Sequence, residues 1–129
     1  MDIDDFKHIN DVYGHPVGDE VLHIIGKNLH LMSGHQIHCY RYGGEEFAII
    51  MERDEHHALE FAETVRLLVA KLKWEFGETI TISLGMSSDD VNSDQLEEAD
   101  QNLYFSKKNG KNVVSYRNKE GVQTLYQRD

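Results

Sequence analysis

The sequence predicts an α/β protein, an α+β sandwich in which helices flank a mixed central sheet. Segments with apolar residues at helical spacing alternate along the chain with short segments of strand character. The glycine pair Gly43-Gly44 lies between two adjacent strand segments, as a hairpin turn requires, so at least one pair of strands is antiparallel. Helices and strands mixed in this order indicate helices that pack on a mixed sheet.

The first part of the chain predicts two helices and a hairpin. Residues 6–13 and 21–32 carry apolar side chains at helical spacing, and the segment 14–18, GHPVG, predicts a turn between them. Residues 37–41 and 46–52 have strand character and lie on either side of the glycine pair. We therefore expect two successive helices followed by an antiparallel strand pair.

The second part predicts two more helices and two more strands. Residues 58–72 form an amphipathic helical pattern, and residues 79–84, TITISL, alternate polar and apolar side chains like a strand with one buried face. Residues 94–108 predict a helix with acids at its start and lysines at its end, the order that the helix dipole favours. Residues 113–116 predict a last short strand, and the polar residues 117–129 predict a loose tail.

Size and charge limit the classes of protein to consider. The 129 residues suffice for one domain, which we place at residues 1–116, followed by the C-terminal tail at 117–129. A formal charge of −10 argues against a nucleic-acid binder, which needs a basic face. No apolar run approaches the roughly 20 residues of a membrane span, and the single cysteine suits a reducing cytosol. We therefore expect a cytoplasmic domain without a membrane span.

Two acidic clusters are the candidates for chemistry: residues 2–7, DIDDFK, and residues 41–47, RYGGEEF. Carboxylates from a strand end and a hairpin turn can converge on one magnesium ion, which prefers oxygen ligands. Two adjacent glycines let a phosphate approach the backbone closely. Taken singly, each cluster is more often a solvated surface than a metal site. Neither cluster alone therefore decides between a surface and a site.

Four motifs in order carry a more specific resemblance. Residues 2–19, DIDDFKHINDVYGHPVGD, resemble the signature D-x-D-x-F-K-x-x-N-D-x-x-G-H-x-x-G-D of the GGDEF domain, the catalytic domain of diguanylate cyclases. Residues 41–47 resemble the family's name motif in its GGEEF form, and residues 82–85 resemble its S-x-G strand. Residues 99–112 resemble its segment A-D-x-A-L-Y-x-A-K-x-x-G-[RK]-N. The resemblance covers residues 2–116.

The resemblance implies a nucleotide-cyclase palm-like GGDEF fold and an enzyme that condenses two GTP molecules into cyclic di-GMP with release of pyrophosphate. This is a reaction of bacterial second-messenger signalling. Magnesium is the implied cofactor, with Mn²⁺ as the alternative ion. The implied metal ligands are Asp2, the carbonyl of Ile3 and Glu45, with Glu46 as a further contact. Glu45 is also the implied acceptor of the 3′-hydroxyl proton, and Lys7 is the implied catalytic lysine, which stabilises transition-state charge near the phosphates.

The resemblance also implies a substrate site. Asn10 and Asp19 match the pair that recognises guanine, and an amide and a carboxylate suit the donors and acceptors of that base. The other implied substrate contacts are a histidine, the glycine pair and two lysines for the terminal phosphates: His15, Gly43, Gly44, Lys107 and Lys111. Each has a structural alternative, namely helix caps for Asn10 and Asp19, a turn residue for the histidine and helix-end charges for the lysines.

Each GGDEF domain of the family holds one GTP, so the resemblance implies a homodimer as the active form. It also implies an upstream sensory or regulatory domain in the full-length protein. The main alternative is a catalytically silent GGDEF module that binds GTP and regulates a partner, and a third class is a structural dimerisation domain. The intact motif Gly43-Gly44-Glu45-Glu46 favours the enzyme.

The chain departs from the family pattern in two places. An inhibitory R-x-x-D site is common in the family, but the equivalent window here is residues 34–37, GHQI, so we expect no tight product binding at that surface. The family's segment before the first aspartate, with its D-x-L-T-G-L-x-N-R motif and most of the first strand, is not in the sequence. We expect this fragment alone to be poorly stable and weakly active or inactive unless another segment takes that place, because backbone groups of the neighbouring strands would otherwise lack partners.

Overall fold

The computed structural model describes residues 1–88 and 93–128, with the backbone only at Ser93. The chain divides into two compact units: the sheet unit, Met1–Asp4 with Arg53–Asp129, and the hairpin unit, Asp5–Glu52. The elements in chain order are β1 (Asp2–Ile3), α1 (Phe6–Tyr13), α2 (His15–Met32), β2 (Ile37–Gly43), β3 (Glu46–Met51), α3 (Glu55–Lys71), β4 (Ile82–Gly85), α4 (Ser93–Lys108), β5 (Val114–Arg117) and β6 (Gln123–Leu125). Within the described ranges, no helix has the length and apolar character needed to cross a membrane.

The sheet unit contains strands of both orientations. β1 pairs antiparallel with β4, β4 pairs parallel with β5, and β5 pairs antiparallel with β6. The register places Asp2 opposite Ser83 and Ile3 opposite Ile82. α4 forms the crossover that a parallel pair such as β4 and β5 requires. The predicted mixed sheet is therefore confirmed within this unit.

Helices α3 and α4 both pack against β4 and β5. Gly85, at the end of β4, allows α4 to approach closely. A Cβ atom built there would lie 2.0 Å from the backbone nitrogen of Leu103 and 2.2 Å from the carbonyl oxygen of Ala99. The glycine of the S-x-G motif is thus required by helix–strand packing. The core of this unit is aliphatic and includes Val65, Val69, Ile82, Leu84 and Val114.

The hairpin unit contains α1, α2 and the antiparallel pair β2–β3. The pairing runs from Ile37 opposite Met51 to Gly43 opposite Glu46, with an irregularity just before Gly43. α2 packs against β2. Apolar side chains of both helices and of β3 are buried, including Ile9, Val21, Ile25, Leu29 and Phe47. The two predicted helices and the predicted hairpin are confirmed.

The predicted turn at residues 14–18 is wrong in extent, because only Gly14 separates the two helices. Its φ of 91° lies in the left-handed region, which glycine adopts without a steric penalty. α2 already begins at His15, with Pro16 in its first turn. Proline is tolerated there because its missing N–H would have no partner inside the helix. His15 and Asp19 consequently lie on a helix.

Two further predictions need correction. The strand predicted at residues 79–84 is shifted and shorter, since β4 covers Ile82–Gly85. The pairing with β1 continues by one bond, from the backbone N–H of Asp4 to the carbonyl oxygen of Thr81 at 2.9 Å. The predicted loose tail is wrong, since its described part contains Arg117 of β5 and the whole of β6. The side chain of Asn118 accepts bonds from two backbone N–H groups of the turn between these strands, both at 3.0 Å, which stabilises the pair. Asp129 lies outside the described residues.

Candidate active site

The predicted site residues divide between the two units. The first group surrounds a buried carboxylate, and the second group lies on two helices and a hairpin turn. The sheet unit carries Asp2, Ile3, Lys107 and Lys111, and the hairpin unit carries Lys7, Asn10, His15, Asp19, Gly43, Gly44, Glu45 and Glu46.

Lys107, in the last turn of α4, directs its ammonium group at three oxygen atoms. Its Nζ atom lies 2.7 Å from Asp4 Oδ1, 3.5 Å from Asp2 Oδ2 and 3.5 Å from the carbonyl oxygen of Ile3. Its position agrees with the helix-end alternative, yet these contacts go well beyond complementing a helix dipole. The structure therefore brings the lysine predicted for the terminal phosphates next to two of the predicted metal ligands.

The oxygen atoms of β1 fit a magnesium ion chemically. Asp2 offers a carboxylate oxygen and Ile3 a carbonyl oxygen, and both already lie near one positive charge. Mg²⁺ commonly takes one or two protein carboxylates and completes its shell with water and substrate phosphate oxygens. Across residues 1–88 and 93–128, no three His, Cys, Asp or Glu side chains are grouped so as to hold a metal ion. A metal here would therefore need backbone or substrate oxygens as well.

Asp4 is the buried carboxylate at this centre, and its side chain is 2% exposed. Its Oδ1 accepts bonds from Lys107 and from the Ser83 hydroxyl at 2.6 Å. Its Oδ2 accepts bonds from the Thr81 hydroxyl at 2.8 Å and from the backbone N–H of Asn112 at 3.0 Å. Burial raises the pKa of Asp4, but the bonds from Lys107, Ser83 and Thr81 outweigh burial and leave the pKa below its usual value. Asp4 is therefore held as a charged group.

Lys111 lies in a strained turn that follows α4. Gly110, Lys111 and Asn112 have φ values of 102°, 59° and 50°, so three successive residues are left-handed. Such a conformation persists in non-glycine residues only where the surroundings fix it. Arg66 supplies part of that constraint, donating to the Asn112 carbonyl at 3.2 Å and to the Asn112 side chain at 3.0 Å. Arg66 is in turn paired with Glu63, at 2.5 Å and 3.0 Å.

Asn10 occupies a space that exists because residue 18 is glycine. A Cβ atom at Gly18 would lie 1.9 Å from Asn10 Oδ1 and 3.2 Å from the ring of Phe6. Asn10 lies inside α1 and Asp19 lies beyond the first turn of α2, and neither helix has a side-chain N-cap bond. The helix-cap alternative is therefore wrong for both residues.

An open cleft of about 790 Å³ lies between α2 and the hairpin of the hairpin unit. Asp19 lines this cleft together with Arg41 and Phe47. Asn10 is half-buried outside its walls, and Lys7 and His15 are exposed. Of the two residues predicted to contact guanine, Asp19 therefore lines a cleft large enough for a nucleotide. Asn10 does not line that cleft.

The turn between β2 and β3 presents backbone without overlying atoms. A Cβ atom built at Gly43 or Gly44 would meet nothing within 4 Å, and neither glycine has a left-handed φ. Packing and backbone geometry therefore do not require glycine at either position, whereas close approach of a ligand would. Arg41 Nε donates to the Gly44 carbonyl at 3.1 Å and holds the turn. Glu45 and Glu46 follow, both half-buried.

A family model described as "Diguanylate cyclase, GGDEF domain" matches residues 1–113. The chain belongs to the GGDEF domain family. Among relatives, the diguanylate cyclase DgcM of Escherichia coli K12 is 39% identical over 118 residues. That match covers 88% of this chain and 29% of DgcM, so this GGDEF chain spans under a third of that relative's length.

Solved GGDEF structures share the fold. The active GGEEF domain of a diguanylate cyclase from Vibrio cholerae is 36% identical, with a TM-score of 0.79 over 89% of this chain and 78% of that one. The GGDEF domain of DgcB from Caulobacter crescentus, solved in complex with c-di-GMP, is 33% identical, with a TM-score of 0.80 over 89% of this chain and 73% of that one. The predicted GGDEF fold is therefore confirmed.

Several residues of the family motifs have no role predicted from the sequence, and the structure shows what they contact. Asp4 of D-x-D, Ser83 of S-x-G and Asn112 of the last motif meet in one hydrogen-bond cluster. Gly18 of G-H-x-x-G-D makes room for the side-chain amide of Asn10. The sequence signal for these residues was their presence in the motifs. Arg66 lies outside every motif and gave no such signal.

Proposed function

We propose that this GGDEF domain is a magnesium-dependent diguanylate cyclase that condenses two GTP molecules into cyclic di-GMP and two pyrophosphates. The observation that carries the proposal is the convergence of the Lys107 ammonium with the Asp2 carboxylate and the Ile3 carbonyl. A phosphoryl-transfer site needs positive charge near the leaving phosphates and oxygen ligands for a divalent cation in the same place. Family membership and the diguanylate cyclase relatives support the same reaction.

In each of two equivalent steps, the 3′-hydroxyl oxygen of one GTP forms a bond to the α-phosphorus of the other. The bond from that phosphorus to the bridging oxygen of the β-phosphate breaks, and pyrophosphate leaves. Glu45 takes the proton from the 3′-hydroxyl, and Lys107 and Lys111 neutralise charge on the departing phosphates. A bound Mg²⁺ would supply Lewis-acid charge, and Asp2 and Ile3 are the ligands that the sheet unit would offer it.

The remaining site residues bind and orient the nucleotide. Asn10 and Asp19 select guanine, since the amide donates and accepts while the carboxylate accepts from the N1–H and N2–H₂ groups. Gly43 and Gly44 leave their backbone open to a phosphate. Lys7 and His15, both exposed, complete the contacts to the substrate. These roles rest on the motif positions that the residues occupy.

The working form of the enzyme is a homodimer in the cytoplasm, since each domain supplies one of two GTP molecules. An upstream sensory or regulatory segment in the full-length protein would control dimerisation of the domain. The short span of this chain within its relatives is compatible with such a segment.

Incubation of the full-length protein that contains this domain with GTP and MgCl₂, followed by chromatography for cyclic di-GMP and a pyrophosphate assay, tests the proposal. We expect two pyrophosphates for each cyclic di-GMP formed, and neither product after chelation of the metal. ATP in place of GTP is the control for base selection. If calorimetry shows GTP binding but no cyclic di-GMP forms, the proposed cyclase activity is wrong and a catalytically silent regulatory module is favoured.

A further inference from the structure

Asp4 cannot contact a substrate directly, because only 2% of its side chain is exposed. Both of its oxygens are nevertheless fully used. Oδ1 is shared by Ser83 and Lys107, and Oδ2 is shared by Thr81 and the backbone of Asn112. Four donors from three segments of the sheet unit therefore fix one carboxylate. Any influence of this group on the reaction has to pass through one of those donors.

We propose that Asp4 is a positioning residue that holds both lysines predicted for the terminal phosphates, Lys107 through its ammonium group and Lys111 through the turn that carries it. This inference rests on the proposed function, because it concerns how those lysines are presented to the substrate.

The link to Lys107 is direct. Asp4 Oδ1 lies 2.7 Å from the ammonium nitrogen, closer than the Asp2 carboxylate and the Ile3 carbonyl, both at 3.5 Å. A lysine side chain is long and flexible, and a bond to a buried charged acceptor removes most of that freedom before substrate arrives. A pre-positioned cation raises the rate because no ordering is needed at the moment of reaction.

The link to Lys111 passes through the backbone. Asp4 Oδ2 accepts the N–H of Asn112, the residue that follows Lys111 in the left-handed turn. Ser83, which is also bound to Asp4, lies 3.2 Å from the same N–H. Arg66 fixes Asn112 from its other side. Asp4 thus anchors the end of the left-handed turn formed by Gly110, Lys111 and Asn112, just before β5 begins.

The structure offers a matched control within the same carboxylate. Thr81 binds Oδ2, while Lys107 binds Oδ1. Thr81→Val keeps the shape of the side chain and removes only its hydroxyl. It therefore removes one bond to Asp4 and leaves the carboxylate that accepts from Lys107. Asp4→Asn, in contrast, removes the negative charge and places an amide among four donors.

The kinetic test compares these two variants in the full chain, with melting temperatures measured alongside. We expect Asp4→Asn to lower kcat/KM for cyclic di-GMP synthesis about 10- to 100-fold and Thr81→Val to change it by no more than about threefold. Asp4→Asn should add little to Lys107→Met in a double variant, because the two residues act as one unit. Equal effects of the two single variants, or fully additive effects in the double variant, would overturn the proposal.

A second test needs no cyclase activity. Amine acylation followed by mass spectrometry should show Lys107 reacting several-fold faster in Asp4→Asn than in the parent or in Thr81→Val, with exposed Lys73 as the internal reference. If the parent makes no cyclic di-GMP, the proposed function fails while this labelling still decides whether Asp4 holds Lys107. If Asp4→Asn does not fold, Asp4→Ala, which removes the acceptor of the lysine without adding an amide donor, should raise Lys107 labelling more than Thr81→Val does. Unchanged labelling in the folded variants would exclude the positioning role.

Discussion

The centre around Asp4 and the turn at Gly43-Gly44 differ in how much of their geometry the protein itself supplies. At the first, a buried carboxylate is bound by four donors and the adjoining turn is held by Arg66. At the second, the backbone is open, with one bond from Arg41. The difference indicates that the sheet unit presents the Lys107 ammonium group already fixed, while the hairpin turn keeps space for a ligand. Substitutions at the first should cost stability as well as activity, and those at the second should cost activity alone.

The largest effect is expected from Glu45→Gln. Loss of the general base should lower cyclic di-GMP synthesis by about 10²–10⁴-fold, and lost metal binding would add to that. Because Glu45 lies in the open turn, the melting temperature should change little. Product formation and thermal melting are measured together, with exposed Glu52→Gln as the control. Activity within a few-fold of the parent would remove Glu45 from the proposed mechanism.

Paired glycine substitutions extend the comparison to a glycine that is packed in the sheet unit and one in the open turn. Gly85→Ala places a Cβ 2.0 Å from a backbone nitrogen, which cannot move aside like a flexible side chain, so we expect destabilisation at the upper end of about 1–3 kcal/mol. Gly44→Ala meets nothing within 4 Å, and its effect on stability should stay within about 0.5 kcal/mol. Urea unfolding measures both, and GTP affinity should fall in Gly44→Ala despite its intact fold. Equal stabilities of the two variants would contradict the contrast.

Gly18→Ala should act on guanine recognition through Asn10. The added methyl would lie 1.9 Å from Asn10 Oδ1, so the amide has to leave its position. We expect GTP affinity to fall about tenfold or more, as in Asn10→Ala, because a site built for hydrogen bonds is left unpaired. Calorimetry on the two single variants and the double variant should show effects that do not add.

The control for that experiment lies on the same helix. Leu31→Ala shortens a side chain that is 72% exposed on α2 and lies outside the walls of the cleft, so it should leave both the Asn10 amide and GTP affinity unchanged. If Gly18→Ala binds GTP as well as Leu31→Ala does, Asn10 does not recognise guanine.

The smallest effect is expected at the window that replaces the family's inhibitory site. Gly34 and Ile37 form an isolated bridge through two backbone bonds, of 3.0 Å and 3.3 Å, and contribute no charged side chain. A phosphate-rich product has no cation to bind at either position. Initial rates should therefore be insensitive to added cyclic di-GMP beyond competition at the GTP site. Inhibition that persists at saturating GTP would show that another part of this surface binds product.

The sequence predicted most elements, since helical periodicity and the glycine pair are local signals. It also assigned roles to residues of the family motifs, and those roles stay predictions. It did not predict the function of Asp4, whose partners Ser83, Lys107 and Asn112 lie 79, 103 and 108 residues away. Only folding brings such distant donors to one carboxylate. The strand β6 was missed because its stability comes from pairing and from the Asn118 turn rather than from apolar alternation.

The pairing of β5 with β6 bears on how far the domain tolerates shortening. The family match ends at residue 113, just before Val114 and Ser115, both fully buried. Gln123 of β6 also donates to the buried Asn102 of α4, at 3.2 Å. A chain cut where the match ends would lose both strands and expose one edge of β4 as a template for strands of other molecules. Aggregation during expression would then be the first symptom, and it would be mistaken for a lack of enzymatic activity.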